Sequence, residues 1–355
     1  MGDKAKLLAS SLSPLLRKVA EAGDVHVGVI TSSLGAMGGD VCAGGSQNSL
    51  GHLSTVGPGS TPLASAAKGF LSYGAGAPAS VDTLIADAET LVNGVGESGC
   101  GLEAQLESAY RFLVQPDPWQ SVALDTNNIA QLQGVDDVLL AQRKAFLRPD
   151  SLVVVVMLTD EDDSSADPRS IGGQGWAFMS NQFPGSTVFR ADGKTTTAPR
   201  ATSACATNPG SPDCTSCGFA ATCNSADAAC QKIKNDPECQ KNGGYYGPTE
   251  EQLNVRFHRM KERFGIDPQF PIARYADGFT KLMVPDREGE HTESAHVVGP
   301  YLGTPKCTNP LFAASLPSAM GDELCNLPTG PRGKDLVVFA ILGGVPNELV
   351  GFRAS

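Results

Sequence analysis

The stretch Leu152–Ser165, LVVVVMLTDEDDSS, restricts the fold more than any other part of the chain. Seven apolar residues run unbroken from Leu152 to Leu158, four of them Val, with Pro149 just upstream. A run this short and this rich in β-branched side chains predicts a strand buried on both faces, in the middle of a parallel sheet covered by helices. Asp160, Glu161, Asp162 and Asp163 emerge at its carboxyl end. Open α/β sheets bind their ligands at that edge. Neighbouring carboxylates repel unless a cation or hydrogen-bond donors offset them. The cluster is therefore a candidate cation site; the plainer reading is a hydrated acidic turn that caps the next segment.

Two further apolar runs, Val25–Ser32 (VHVGVITS) and Asp335–Gly344 (DLVVFAILGG), also read as buried strands, and a short edge strand is expected near Gly51–Val56. Helical spacing of apolar residues predicts helices over Lys4–Ala22, Val81–Val95, Leu102–Val114, Val135–Phe146, Thr249–Phe264 and Pro271–Met283. Pro14 should kink or break the first of them, and Thr249 with Gln252 makes a capping box for the fifth. Strands alternating with helices imply a parallel sheet with right-handed crossovers. The fold class expected is thus α/β: a doubly wound, mostly parallel sheet built from residues 1–163 and 332–355. Residues 164–331 then form a long Cys-rich insertion, with helices near 249–264 and 271–283. The first helix has no strand ahead of it and the last strand no helix behind it, so the expectation is a fold cut at both ends, its first strand missing.

Cysteine usage points outside the cytoplasm. There are ten: Cys42, Cys100, Cys205, Cys214, Cys217, Cys223, Cys230, Cys239, Cys307 and Cys325. Six of them crowd into Cys205–Cys239, among many turn residues. That pattern favours disulfides and an oxidising compartment. The alternative is a zinc site at Cys214-x-x-Cys217, weakened because no second such pair and no His lies in the segment. Within the cluster the pairing stays open. Cys42 and Cys100 both fall on loops expected at the carboxyl edge of the sheet, so these two should pair, as should Cys307 and Cys325 across a Pro-rich loop. The opening MGDKAKLLASSLSPLL lacks the apolar stretch and small-residue cleavage site of a secretory leader. Export without a leader is reconciled if the chain begins downstream of its natural start.

Net charge is −11, with no basic stripe, which argues against a nucleic-acid partner. No apolar stretch reaches the roughly 18 residues of a membrane span. His26 lies within a predicted strand and reads as structural, while His291 and His296, in HTESAH, are five apart. That is not the spacing of a helical metal pair, so a polar loop is expected there. GESGCG (Gly96–Gly101) precedes a helix and offers free backbone N–H groups, but it lacks the Lys of a phosphate-binding loop.

Taken together, VHVGVITSSLGAMGGDVC, GESGCGLEAQLESAYRFL, FLRPDSLVVVVMLTDEDDSS, RFGIDPQFPIARYADGF, NPLF and LVVFAILGGVP resemble the von Willebrand factor type A-like proteins of myxobacteria and their relatives. The resemblance covers most of the chain except Ser164–Asn242, which matches only in being Cys-rich. It implies a doubly wound fold with a metal-ion-dependent adhesion site formed by three loops at the carboxyl edge. Asp160 matches the Asp of the third loop. Ser98, in the second, stands where the family usually has Thr. The first loop, D-x-S-x-S, has no match, as though its ligands lay just upstream of Met1. Asp162 is a candidate to support the site through a water. The cofactor implied is Mg²⁺, or Mn²⁺ or Ca²⁺, bound weakly or not at all by these residues. The partner implied is a protein offering a carboxylate, and the place implied is the periplasm, the outer surface or the medium.

Two other classes compete. TDEDDS resembles the D-x-D-x-[TS] loop of haloacid dehalogenase-like phosphatases, with Asp160 as nucleophile and Asp162 as acid/base, though that loop usually follows a first strand. A Ser–His–Asp hydrolase is disfavoured because no G-x-S-x-G is present. The third class is a purely structural, disulfide-stabilised module.

Overall fold

A computed structural model describes residues 2–42, 44–74, 77, 80–182, 186, 188, 198–208, 211–221, 223–247, 249–250, 256–264, 267–294 and 297–343. It is a mixed helix-and-strand fold whose described strands pair only in twos. The first helix, α1 (Gly2–Ala20), continues across Pro14, so the expected break does not occur. Strand β1 (Val25–Gly28) is shorter than its apolar run and pairs antiparallel with β2 (Phe70–Tyr73). Then come α2 (Val81–Gly94), α3 (Gln105–Leu113), a hairpin of β3 (Ser121–Leu124) and β4 (Ala130–Gln133), and α4 (Asp137–Phe146). Strand β5 (Val153–Leu158) follows directly, and β6 (Val337–Leu342) lies parallel to it with Val153 opposite Val337 and Leu158 opposite Leu342.

Helices α1 to α4 form close to where the apolar spacing puts them, and caps account for the starts of α2 and α4. Ser80 accepts from the Thr83 N–H, and Asp136 from the Leu139 N–H, each satisfying a donor that a helix start leaves free. Helix α2 lies on α1 and β2: Leu16, Leu71, Leu84, Ala88 and Leu91 share one buried cluster. A second cluster joins Phe70, Tyr110, Phe112 and Val153 to Tyr275, Phe279, Leu311 and Phe312. A third joins Leu34, Met37, Cys42, Cys100 and Leu102 to Phe178, Tyr246, Phe257 and Met260. The long stretch after β5 therefore packs into the same cores as the segments before it.

Several expectations need correcting. β5 is not buried on both faces: Val153 and Met157 are buried, whereas Val154 is 44% and Val156 39% exposed. The same holds for β6, where Val338 is 45% and Leu342 49% exposed. The physical reason is one-sided cover. Tyr275, Phe279 and Phe312 pack on the Val153, Val337 and Phe339 side, and no described segment closes the other. The expected helix over Pro271–Met283 is only Ile272–Gly278, and Met283–Val284 is a short strand paired with Cys307–Thr308. The edge strand expected near Gly51–Val56 is Val56–Gly57, paired with Thr61–Pro62. The β3–β4 hairpin was not legible, because its strands, SVAL and AQLQ, are too short and too polar to show a period. Of the helix expected over Thr249–Phe264, Arg256–Phe264 is helical, while Gln252 of the capping box lies outside the described residues.

Ten cysteines form five disulfides, which fits an oxidising, extracytoplasmic environment. Cys42 pairs with Cys100 at a Cα separation of 5.4 Å, and Cys307 with Cys325 at 4.3 Å, both as expected. Within the cluster Cys205 joins Cys214, Cys217 joins Cys239, and Cys223 joins Cys230. The zinc reading of Cys214-x-x-Cys217 fails, since both sulfurs are oxidised and bonded elsewhere. No helix among the described residues is long and apolar enough to cross a membrane.

Candidate functional site: the acidic rim beyond the parallel strands

The rim is assembled from the carboxyl end of β5, the starts of α1 and α3, and the loop 96–104. Each is tied down by the backbone. The Cys100 N–H donates to Ser33 Oγ at 3.0 Å, and the Ala104 N–H donates to the Ser32 carbonyl at 2.8 Å. With the Cys42–Cys100 bridge, these bonds fix the loop against the segment that follows β1. On the other side, the Ser164 N–H donates to the Glu103 carbonyl at 2.7 Å, joining the loop to the segment that follows β5.

Thr159 organises the turn itself. Its hydroxyl donates to the Glu161 carbonyl at 2.8 Å, and Gln105 Nε2 donates to Thr159 Oγ1 at 2.6 Å and to the Glu161 carbonyl at 3.2 Å. The four acids then diverge. Asp160 meets Lys4, with Nζ to Oδ2 at 2.9 Å. That hydrogen bond holds the Asp160 carboxyl below its ordinary pKa and the Lys4 ammonium above its own. Asp162 points to solvent, and its carbonyl accepts from Ser164 Oγ at 3.3 Å. Asp163 turns inward and caps α3: Oδ2 accepts from the Leu106 N–H and Oδ1 from the Ser165 N–H, both at 3.0 Å. Burial still pushes its pKa up to about 6, against the pull of those N–H groups. Ser98 is exposed, and its carbonyl accepts from Ser46 Oγ at 3.0 Å.

The chain's first residues reach this corner too. The Gly2 N–H donates to Glu97 Oε1 at 2.7 Å, next to Ser98, while Lys4 holds Asp160. Asp160, the Ser98 loop and the start of α1 thus converge, but their carboxylates do not. Among the described residues the one group of three acidic or sulfur ligands within reach of a common ion is Asp286, Cys307 and Cys325. Those two sulfurs are bonded to each other, so that group is not a thiolate site. Glu103 does feel the rim: burial first, then the charges of Glu161 and Asp160, raise its pKa.

Whether Mg²⁺ suits these residues follows from its demand for six oxygens in near-octahedral array. Asp160 and Ser98 offer two side-chain ligands, and the Lys4 ammonium already sits on Asp160. The residues present do not fit a complete site.

Sequence reasoning missed Lys4, Gln105, Thr159 and the capping role of Asp163. One signal was available: Ala104, the residue just before α3, has no capping side chain, so the helix needed an acceptor from elsewhere. The His expectations divide. His26 is structural, its Nδ1 2.7 Å from the Phe146 carbonyl and its ring against Phe70. His291 is not in a polar loop but in a strand, buried, with Nε2 2.9 Å from Asp167 Oδ2. His296 lies outside the described residues. Comparison of the chain with protein-family models, curated proteins and solved structures finds no match.

Proposed function

We propose that this chain is a non-enzymatic binding domain of the von Willebrand type A kind, exported to the periplasm, the outer surface or the medium. Its α/β core is a doubly wound sheet in this reading, and its partner-facing edge is the rim around Asp160. The observation that carries the reading is the convergence of three separated segments beyond the parallel pair: Gly2 on Glu97, beside Ser98, and Lys4 on Asp160. The parallel register of β5 with β6 and the Cys42–Cys100 brace behind the Ser98 loop support it as well. The family's metal would be held here by Asp160 and Ser98, with Asp162 through a water, and these residues alone hold it weakly or not at all. A protein partner offering a carboxylate belongs to the same proposal. Glu97, Glu103, Glu161 and Asp162 make the rim acidic.

Calorimetry with Mg²⁺ or Mn²⁺ tests the site. The expected result is no micromolar binding; micromolar binding that is lost in Asp160→Ala would show that the site is complete. A phosphatase assay with Mg²⁺ and a generic phosphate ester tests the class. Turnover that depends on Asp160 and Asp162 would replace the binding reading with the phosphatase one.

A further inference from the structure

A second set of charged groups lies behind the rim, and it is buried. Glu107 on α3, Arg274 on the helix Ile272–Gly278, Glu290, His291 and Asp167 are each no more than 3% exposed. Arg274 is its centre. Its Nε donates to Glu290 Oε1 at 2.7 Å and its Nη1 donates to Glu107 Oε2. The guanidinium lies 3.7 Å from the Tyr110 ring centre and 4.0 Å from that of Phe270. One cation is thus clamped between two carboxylates and two rings, and it joins α3 to the stretch after β5. His291 follows Glu290 in the chain. Its Nε2 is 2.9 Å from Asp167 Oδ2 and its Nδ1 2.9 Å from the Gly299 carbonyl. With an acceptor at each nitrogen, the doubly protonated ring is the form that fits.

We propose that Arg274 and the acids around it form a pH-sensitive latch between α3 and the segment 267–294, closed in mildly acidic surroundings and loosened in alkaline ones. The charge count gives the direction. The groups facing Glu107 are Arg274, Glu290, Asp163, the buried Arg111 and the hydroxyls of Tyr110 and Tyr275. Those facing His291 include Asp167 and Glu290. Tyr110, Tyr275 and Tyr301 all have raised pKa values through burial and stay neutral. Fully ionised, the cluster holds the carboxylates Glu107, Glu290, Asp163 and Asp167 against the cations Arg274 and His291, while the nearby Arg111 is already paired with Asp136 at 3.0 Å. Acids therefore outnumber bases in a place with little water to spread the charge.

Burial, outweighing the pull of Arg274, pushes Glu107 from its ordinary 4.5 up to about 7. Parting α3 from its neighbours hydrates Glu107 and returns it to its ordinary range. Each rise in pH between those values thus favours the open state. Burial alone would strip His291 of its proton, but Asp167 holds the ring's pKa above its ordinary 6.5. Its contribution is complete below that value and is lost as pH rises through the raised one, in the same direction as that of Glu107. Asp163 is not needed for the argument. Opening would reach the rim, because Gln105, at the start of α3, holds Thr159 and the Glu161 carbonyl.

Hydrogen–deuterium exchange on the full chain tests the latch. It is read at about pH 5.5 and about pH 8.5, either side of the Glu107 midpoint, with rates corrected for intrinsic pH dependence. Amides of Gln105–Leu113 and Ile272–Gly278 should lose about tenfold or more of their protection at the higher pH, while those of Val81–Gly94 keep theirs. In Glu107→Gln most of that loss should vanish, since the amide keeps the shape without the ionisation. Equal protection at both pH values, or the same loss in Val81–Gly94, would overturn the proposal. Should Glu107→Gln not fold, carboxyl ¹³C titration of the wild-type protein decides. One Glu titrating near neutrality supports the latch; all Glu residues titrating at ordinary values refute it.

Discussion

Asp160 and Asp163 are three residues apart on one turn, yet they belong to different electrostatic worlds. Asp160 stands near the surface, where Lys4, itself half exposed, meets it in water-screened surroundings. Asp163 turns in, caps α3 and lies beside the buried Glu107–Arg274–Glu290 cluster. The lesson is that acidity read along a sequence says little about consequence. An exposed pair is worth little because water screens it, whereas a buried carboxylate is costly unless donors or a cation answer it. At the rim the charges join α1 to its neighbours, Lys4 on Asp160 and the Gly2 N–H on Glu97; in the interior one buried guanidinium answers Glu107 and Glu290.

That contrast can be broken by substitution. Arg274→Ala strips the shared cation from Glu107 and Glu290 and leaves two carboxylates buried without it. It should cost about 3–5 kcal/mol in denaturant unfolding, and a loss under about 1 kcal/mol would mean that the cluster is not a structural centre. Next in size comes the brace behind the Ser98 loop. The double change Cys42→Ala with Cys100→Ala opens a loop spanning 58 residues of sequence separation. It should lower stability by roughly 2–4 kcal/mol in thermal unfolding. The smallest effects test the comparison most directly. Asp163→Ala removes the only side-chain acceptor described at the start of α3 and should cost about 1 kcal/mol. Asp160→Ala should stay within about 0.5 kcal/mol of wild type. If the two variants prove equally stable, the distinction between surface and interior acids on this turn is wrong.

Much of the helical structure was legible because amphipathic spacing survives in the sequence: α2, α3 and α4 begin and end within a few residues of their patterns. The parallel run Val153–Leu158 was found, but its burial was misjudged, since an unbroken apolar run cannot say how many faces are covered. The Cys42–Cys100 pairing could be reasoned from loop placement, whereas the pairings among Cys205–Cys239 could not, because six cysteines leave many connectivities open. At the rim, Asp160 was identified from its place after a strand. Its partner Lys4 lies 156 positions away, and no local pattern joins the two. Arg274, Glu290 and His291 were hidden for a different reason. Charged residues are rarely wholly buried, so a sequence reader assigns them to the surface, and only the folded chain shows Tyr110 and Phe270 stacked on the guanidinium.

The bridge from Cys42 to Cys100 also decides how the protein meets proteolysis. A nick at any peptide bond in the 43–99 stretch severs the backbone but leaves both pieces fastened through sulfur. Such a molecule would run as a single band on a non-reducing gel and fall into two fragments only after a reductant is added.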